Sequence, residues 1–296
     1  MTESPDTSES EGKYVGRPVL RVEDGPLLRG RGQFIDDLPE KPTTLHAAIL
    51  RSPHPHAEIV DIDATEALAL AGVHAVITGA DIKPLTTPLL VGFKNEMDYR
   101  GIALDRVRYV GEPVAIVCAT DRYKAEDALD LIHVTYKALP AVVDPVEAAG
   151  DDAPVLHPAQ GSNVVSHRVF THGAPSAAFA KAPRTAKMSI RYPRNALTPM
   201  ETYAIVAEYM EDSAMYDVIS NFQGPFSLHT VMALGLKTTT GKLRHRSPVN
   251  SGGSFGSKLT IFPYVVLMCV AARLTGRPVK WIEDRLEHLS SANSAP

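Results

Sequence analysis

The chain has 296 residues, 44% of them hydrophobic and 22% charged, with a formal net charge of −4. That length suits about two domains of roughly 150 residues each. The charge excludes a polyanion-binding face, because phosphate recognition needs concentrated basic residues and the densest cluster, KLRHR at Lys242 to Arg246, is short and reads as a solvated strand face.

Residues 1–13 (MTESPDTSESEGK) are polar and Ser/Glu-rich, expected to be a disordered tail without signal-peptide or twin-Arg features. From Tyr14 to Asp37, Gly, Arg and Pro without periodicity predict an ordered extended arm rather than a helix. Strands are expected at TLHAAILRS (Thr43 to Ser52), AEIVDID and HAVITG, with a helix at ATEALALAG ending on Gly72. RVRYVGEPVAIVCAT reads as two short strands around a Gly-Glu-Pro turn. DRYKAEDALDLI carries an Asp cap and helical spacing, and HVTYKALPAVVD alternates as a strand does. These elements form a compact α+β domain over 14–145, followed by a Pro/Gly/Asp-rich linker over 146–165.

The second region, 166–296, opens with the helical AAFAKA and expected strands at AKMSIRYPRN, YAIVAEYM and YDVISNFQ. LHTVMALGL reads as a helix, LRHRSPV as a strand, NSGGSFGSK as a loop, and FPYVVLMCVAARLTGRP as a buried helix with Pro263 in its first turn and Gly276 at its end. Tyr192, Tyr203 and Tyr209 are expected to pack in strands and Trp281 in the core, with Lys280 and Asp284 as ordinary surface charges. Cys118 and Cys269 both stand in apolar runs, so a reducing, cytoplasmic location is expected, without a zinc or iron–sulfur site in this chain. The longest uninterrupted apolar run, Tyr264 to Ala272, is too short to span a bilayer. His54 and His56 have an HxH spacing that a metal could use, but they read as a structural loop.

Two stretches carry chemistry. In NSGGSFGSK, Gly252, Gly253 and Gly256 leave backbone N–H groups bare between a strand and a helix, so that they can converge on an anion or a metal-bound oxygen, or simply make a tight turn. The spacing is that of neither a Walker A loop nor GxGxxG. In SNFQGPFSLH, Gln223 ends a strand before Gly224-Pro225, and its carboxamide can donate one hydrogen bond while accepting another.

SNFQGP and GGSFGSK, in that order before GRPVKWIEDRLEHL, resemble the molybdopterin-binding subunit of the xanthine dehydrogenase, aldehyde oxidase and carbon monoxide dehydrogenase family. VGRPVLRVED, LHAAILRSPHPHAEI, VRYVGEPVA, DRYKAEDALDLIHVTY, HPAQGSN and TPMETYAIVAEY carry the same resemblance, from about Tyr14 to the last residues. It implies an α+β fold in which an N-terminal α/β hammerhead domain precedes the first part of a molybdenum-cofactor-binding domain. It also implies hydroxylation of an N-heterocycle or aldehyde with oxygen taken from water. Gln223 would hydrogen-bond the oxygen on molybdenum. Gly252, Gly253, Ser254, Phe255 and Gly256 would turn backbone N–H groups to the metal's apical oxygen and the pterin, with no protein side chain on the metal. The cofactor would be the cytosine dinucleotide form of molybdenum-molybdopterin, with FAD and 2Fe-2S centres on partner subunits.

Departures from the pattern bear on what this chain does alone. Family members run on for several hundred residues, and that part carries the glutamate base and most of the dinucleotide contacts. Glu201, Glu283 and Glu287 sit in other motifs and are not that base. A second polypeptide supplying the other molybdopterin-binding half is therefore expected; the alternative is a truncated or relict non-catalytic fragment or assembly partner. The loop reads GGSFGSK where many relatives read GGGFGGK. Leu259 stands where xanthine-oxidising members place a purine-binding glutamate, so xanthine is not the expected substrate.

Overall fold

The apolar run VAIVCA explains the centre of the molecule: every residue is buried, so its strand must be covered on both faces. The computed structural model describes residues 18–89, 97–193, 195–292 and the backbone of 294–295. The polar tail and the start of the arm lie outside the described residues.

The strands are β1 (Leu45–Arg51), β2 (Ala57–Asp63), β3 (Val73–Thr78), β4 (Arg106–Val107), β5 (Pro113–Ala119), β6 (His133–Ala138), β7 (Asn195–Ala196), β8 (Ala204–Met210), β9 (Met215–Ser220), β10 (Leu243–Arg246), β11 (Val279–Ile282) and β12 (Ser294–Ala295). The helices are α1 (Asp24–Leu28), α2 (Thr65–Ala69), α3 (Gly79–Ile82), α4 (Arg122–Leu129), α5 (Pro145–Ala148), α6 (Pro175–Lys181), α7 (His229–Gly235), α8 (Phe262–Thr275) and α9 (Arg285–Ser291). A seven-stranded mixed sheet runs β10-β9-β8-β11-β1-β5-β3, and a smaller three-stranded sheet runs β4-β2-β6. The large sheet draws β1, β5 and β3 from the first region of the chain and its other strands from the second, joined where β1 pairs in parallel with β11.

Side-chain alternation divides the interior. Ala48, Ala115, Val117 and Ala119 face Ala125 and Ala128 of α4, which is capped by the Asp121 side chain accepting from Lys124 N at 3.0 Å. Leu45, Ala47, Ile49, Ile116 and Cys118 face the opposite way, into the larger core that holds α8. Pro263 to Ala272 of α8 are all buried, Pro263 lies in its first turn, and Gly276 ends it at φ 64°. The segment Ser257–Thr275 is long and apolar enough to cross a membrane, but here it packs against β8, β9, β11 and α7 as a core helix does. Trp281 stacks on Tyr264 at 4.9 Å between ring centroids, inside the same core. Burial pushes both thiols up, Cys118 to about 12.

Four expectations are corrected. The arm is not wholly extended: it contains α1, five residues long, and a 3-10 turn at Ile35–Asp37. The strand expected at AKMSIRYPRN is absent among its described residues apart from the start of β7, and Met188, Ile190 and Tyr192 are exposed. Their period-two spacing is that of a strand, yet no described strand lies beside residues 186–193 to pair with it. The strand at HVTYKALPAVVD stops at Ala138, before Pro140 removes a ladder donor. Lys280 is not a surface charge: it is 3% exposed, with Nζ 2.8 Å from Asp36 and 2.7 Å from Glu40. Its partners lie on the arm, a contact that no local pattern announces. His56 Nδ1 donates to the Pro140 carbonyl at 2.6 Å, and His54 lies against Tyr136.

The Gly-Glu-Pro turn carries a pH dependence. Gly111 turns at φ 91°, and Glu112, 3% exposed, accepts from the Arg108 backbone N–H. Burial raises the Glu112 carboxyl from 4.5 to about 7, against the opposing pull of Arg108. In the folded chain it holds a proton that the unfolded chain has already released. Its contribution is therefore complete below pH 4.5 and is lost as pH rises to about 7. Glu112→Gln is expected to flatten this fall, by up to about 3 kcal/mol. Urea unfolding of both proteins at pH 4.5 and pH 8 measures it, and parallel pH dependences would refute it.

Candidate functional site

Strand directions bring the separated motifs to one end of the large sheet. β9 and β10 are parallel neighbours, Arg246 opposite Ile219, so both release their following segments at the same end. After β9 come Asn221, Phe222 and Gln223; after β10 comes the glycine loop. β8 runs antiparallel to β9, with Ile205 opposite Ser220, so the residues preceding it, Glu201 to Tyr203, arrive there too. β11 pairs Ile282 with Ala204 and delivers Glu283 to the same place. Open sheets containing parallel strands commonly place sites beyond the strand carboxyl ends, where adjacent loops part.

Gln223 and the loop are in direct contact. The Gln223 Oε1 accepts a hydrogen bond from the Ser254 hydroxyl and another from Gly256 N at 3.1 Å, while Gln223 N donates to the Lys258 carbonyl at 3.3 Å. A backbone N–H can only donate, so the carboxamide oxygen must face the loop and the NH2 group must face away from it. Gln223 is exposed, and that NH2 group has no acceptor among the described residues.

The loop is shaped by close approach. Gly253 and Gly256 sit at φ 92° and 98°, and Phe255 is held at φ 53°, a conformation uncommon for a bulky residue. Gly252 needs space: a Cβ there would overlap the Glu201 Cβ and lie 2.9 Å from Glu201 N. Gly252 N donates to Glu201 Oε2 at 2.9 Å, so this N–H is engaged within the protein. The N–H groups of Gly253, Ser254 and Phe255 have no acceptor among the described residues. Ser257 fastens the loop by donating its hydroxyl to the Ser254 carbonyl at 2.8 Å, and Tyr203 donates its phenol to the Ser257 carbonyl at 2.8 Å. At the other end, Gln33 of the arm and Asn250 exchange hydrogen bonds of 2.8 and 3.2 Å.

Beneath the loop lies a group of charges that sequence reasoning did not place. Lys258 is fully buried, with Nζ 2.8 Å from Glu201 Oε2. Burial pulls its ammonium below the ordinary pKa, against the pull of Glu201. Glu283, 2% exposed, accepts from Tyr203 N at 3.2 Å and lies 2.7 Å from His288 Nδ1. Burial works against the His288 imidazolium, but the Glu283 carboxylate and the Leu197 carbonyl raise its pKa overall. Asp284 caps α9 through Glu287 N at 2.7 Å, and Glu287 bonds Arg51 at 2.9 Å. The only sequence signal was a lysine set directly before an apolar helix.

Known proteins match both regions. Residues 29–140 match the model described as "Aldehyde oxidase and xanthine dehydrogenase, a/b hammerhead domain", and residues 156–296 match the molybdopterin cofactor-binding domain. The chain belongs to the aldehyde oxidase and xanthine dehydrogenase family. It is 37% identical to the carbon monoxide dehydrogenase large chain of Hydrogenophaga pseudoflava, over 91% of this chain and 35% of that one. It is 34% identical to the nicotine 6-hydroxylase large subunit of Paenarthrobacter nicotinovorans, over 95% of this chain and 35% of the relative. Among solved structures, quinoline 2-oxidoreductase from Pseudomonas putida 86 superposes with a TM-score of 0.88 at 36% identity, covering 97% of this chain and 36% of that chain. The chain thus spans about a third of the length of these family members. Its loop, Gln223, Glu201, Lys258, Glu283 and His288 all fall within the residues that match the molybdopterin cofactor-binding domain.

The chemistry of the donor set fits such a group. The oxo and phosphate groups of such a cofactor accept hydrogen bonds, and the site offers a carboxamide NH2 and three consecutive backbone N–H groups that have no acceptor among the described residues. Bare backbone donors on a glycine loop suit a polar or anionic group that has to come close.

Proposed function

We propose that this chain is part of a molybdenum hydroxylase that oxidises an N-heterocycle or aldehyde-type small molecule with water as the oxygen source, and that it supplies cofactor contacts. One observation carries this reading: Gln223 Oε1 is held by Ser254 and Gly256, so its NH2 group faces away from them, and neither that group nor the N–H groups of residues 253–255 have an acceptor among the described residues. The bound cofactor would supply two-electron oxidation of the substrate. Gln223 Nε2 would donate to an oxygen of that group, and the loop amides would hold its anionic edge. The Ser254 hydroxyl, present where many relatives have glycine, keeps Gln223 oriented. Leu259, 42% exposed, presents an apolar surface beside this opening.

A second polypeptide would supply the catalytic base and the rest of the molybdopterin-binding subunit. Met188, Ile190 and Tyr192 form no strand here, but their exposed side chains alternate as a strand's do and suit pairing with that chain. FAD and 2Fe-2S subunits would carry the electrons onward, and the cofactor would be the cytosine dinucleotide form. The relatives carry the names of large chains and subunits, and their names include nicotine and quinoline as N-heterocycles.

Native mass spectrometry and a molybdenum assay on the chain purified from its host, under one mild tag, test the proposal together. About one molybdenum per complex with a co-purifying chain that carries the rest of the subunit is the expected result. A lone chain without molybdenum would overturn it and favour a non-catalytic fragment.

A further inference from the structure

Glu201 joins both ends of the glycine loop. Its Oε2 accepts from Gly252 N at 2.9 Å and from Lys258 Nζ at 2.8 Å. Gly252 enters the loop and Lys258 leaves it, so one carboxylate oxygen closes the arc. A backbone bond from Glu201 N to the Gly252 carbonyl, 3.3 Å, reinforces the entry side. Lys258 is fully buried, and Glu201 is its sole hydrogen-bond acceptor among the described residues. Glu201 Oε1 is also buried, without a partner among the described residues, so among these the carboxylate is held from the loop side alone.

We infer that Glu201 and Lys258 are a positioning pair, a clasp that sets the curvature of the loop so that the donors of Gly253, Ser254 and Phe255 meet the Gln223 NH2 group at one oxygen-rich ligand. The identity of that ligand rests on the proposed function; the clasp itself rests on the geometry of the loop. A buried ion pair contributes little net stability compared with an apolar pair of similar size, whereas removing one partner strands a buried charge. Exchanging both residues for apolar ones therefore separates loop position from fold stability. Gly256 and Ser257 report on the loop without bias, because their amides bond to Gln223 and Ser254 rather than to either member of the clasp.

The experiment compares the full chain, with whatever co-purifies, as wild type, Glu201→Gln, Lys258→Met and the double variant Glu201→Leu/Lys258→Met. Hydrogen exchange is resolved at Gly256, Ser257 and β8, and molybdenum is counted per chain. In the double variant, Gly256 and Ser257 exchange at least tenfold faster, β8 is unchanged, and molybdenum falls at least fivefold. Should either single variant fail to fold, the double variant still decides. Exchange at Gly256 and Ser257 within twofold of wild type would overturn the clasp, as would a loosened loop that keeps its molybdenum. A wild-type chain without molybdenum would sink the proposed function instead, and loop exchange alone would then judge the clasp.

Discussion

Gln223→Glu is expected to lower turnover of the assembled enzyme about 100- to 1000-fold, the usual cost of losing one preorganised donor to a developing negative charge, with molybdenum content kept. The substitution is chosen for what it preserves. Ser254 and Gly256 donate to the Gln223 oxygen, and a glutamate still offers an oxygen at that place, so the loop keeps its brace. What changes is the outward atom: an NH2 donor becomes a carboxylate oxygen that repels an electron-rich ligand. Gln223→Ala removes the brace and the donor together, so it should lower molybdenum content as well as turnover. Steady-state rates normalised to molybdenum separate the two effects. Turnover per molybdenum equal to wild type in Gln223→Glu would remove Gln223 from the site, whatever the alanine variant does.

The residues of this site were legible one by one from local pattern, while only the family resemblance placed Gln223 and the loop together. Gln223 before Gly-Pro and the bare backbone of Gly252 to Gly256 are local signals, because turn chemistry is written in adjacent residues. That the two meet depends on β9 and β10 being parallel neighbours, which requires a crossover through α7 and is a property of the sheet. The clasp was harder still: Glu201 and Lys258 stand 57 positions apart, and each alone looks like a surface charge. Lys280 shows the same limit, since its carboxylate partners lie 240 or more positions away on the arm. Apolar elements were read well where the pattern is self-contained, as in α8, whose Pro263 and Gly276 mark both ends. The strand reading failed at Met188, Ile190 and Tyr192 for the converse reason. Alternation states which face wants cover, and a strand forms only when a neighbour provides it.

Gly252→Ala is expected to cost about 1–3 kcal/mol as overpacking and to shift the loop from the position in which it is proposed to hold the cofactor. The reasoning isolates one contact. Gly252 is not among the glycines at positive φ, so alanine would suit its backbone, and no conformational penalty arises there. The obstacle is steric: the added methyl meets the Glu201 Cβ and backbone nitrogen, neither of which can rotate away. Relief requires the loop entry and the Pro199–Thr202 turn to separate, which lengthens the bond from Gly252 N to Glu201 Oε2 and opens the clasp at its entry. Gly253→Ala supplies the contrast. Its nearest neighbour is the Phe255 ring at 3.2 Å, a side chain that can yield, so its penalty comes from φ 92° and is on the order of 1–3 kcal/mol of local strain. The two variants therefore lose comparable stability by different routes, and only Gly252→Ala acts through Glu201. Urea unfolding with molybdenum counted per folded chain distinguishes them: Gly252→Ala should lose at least as much metal as the double clasp variant. Retention of wild-type molybdenum by Gly252→Ala would mean that contact with Glu201 does not set where the loop's donors point.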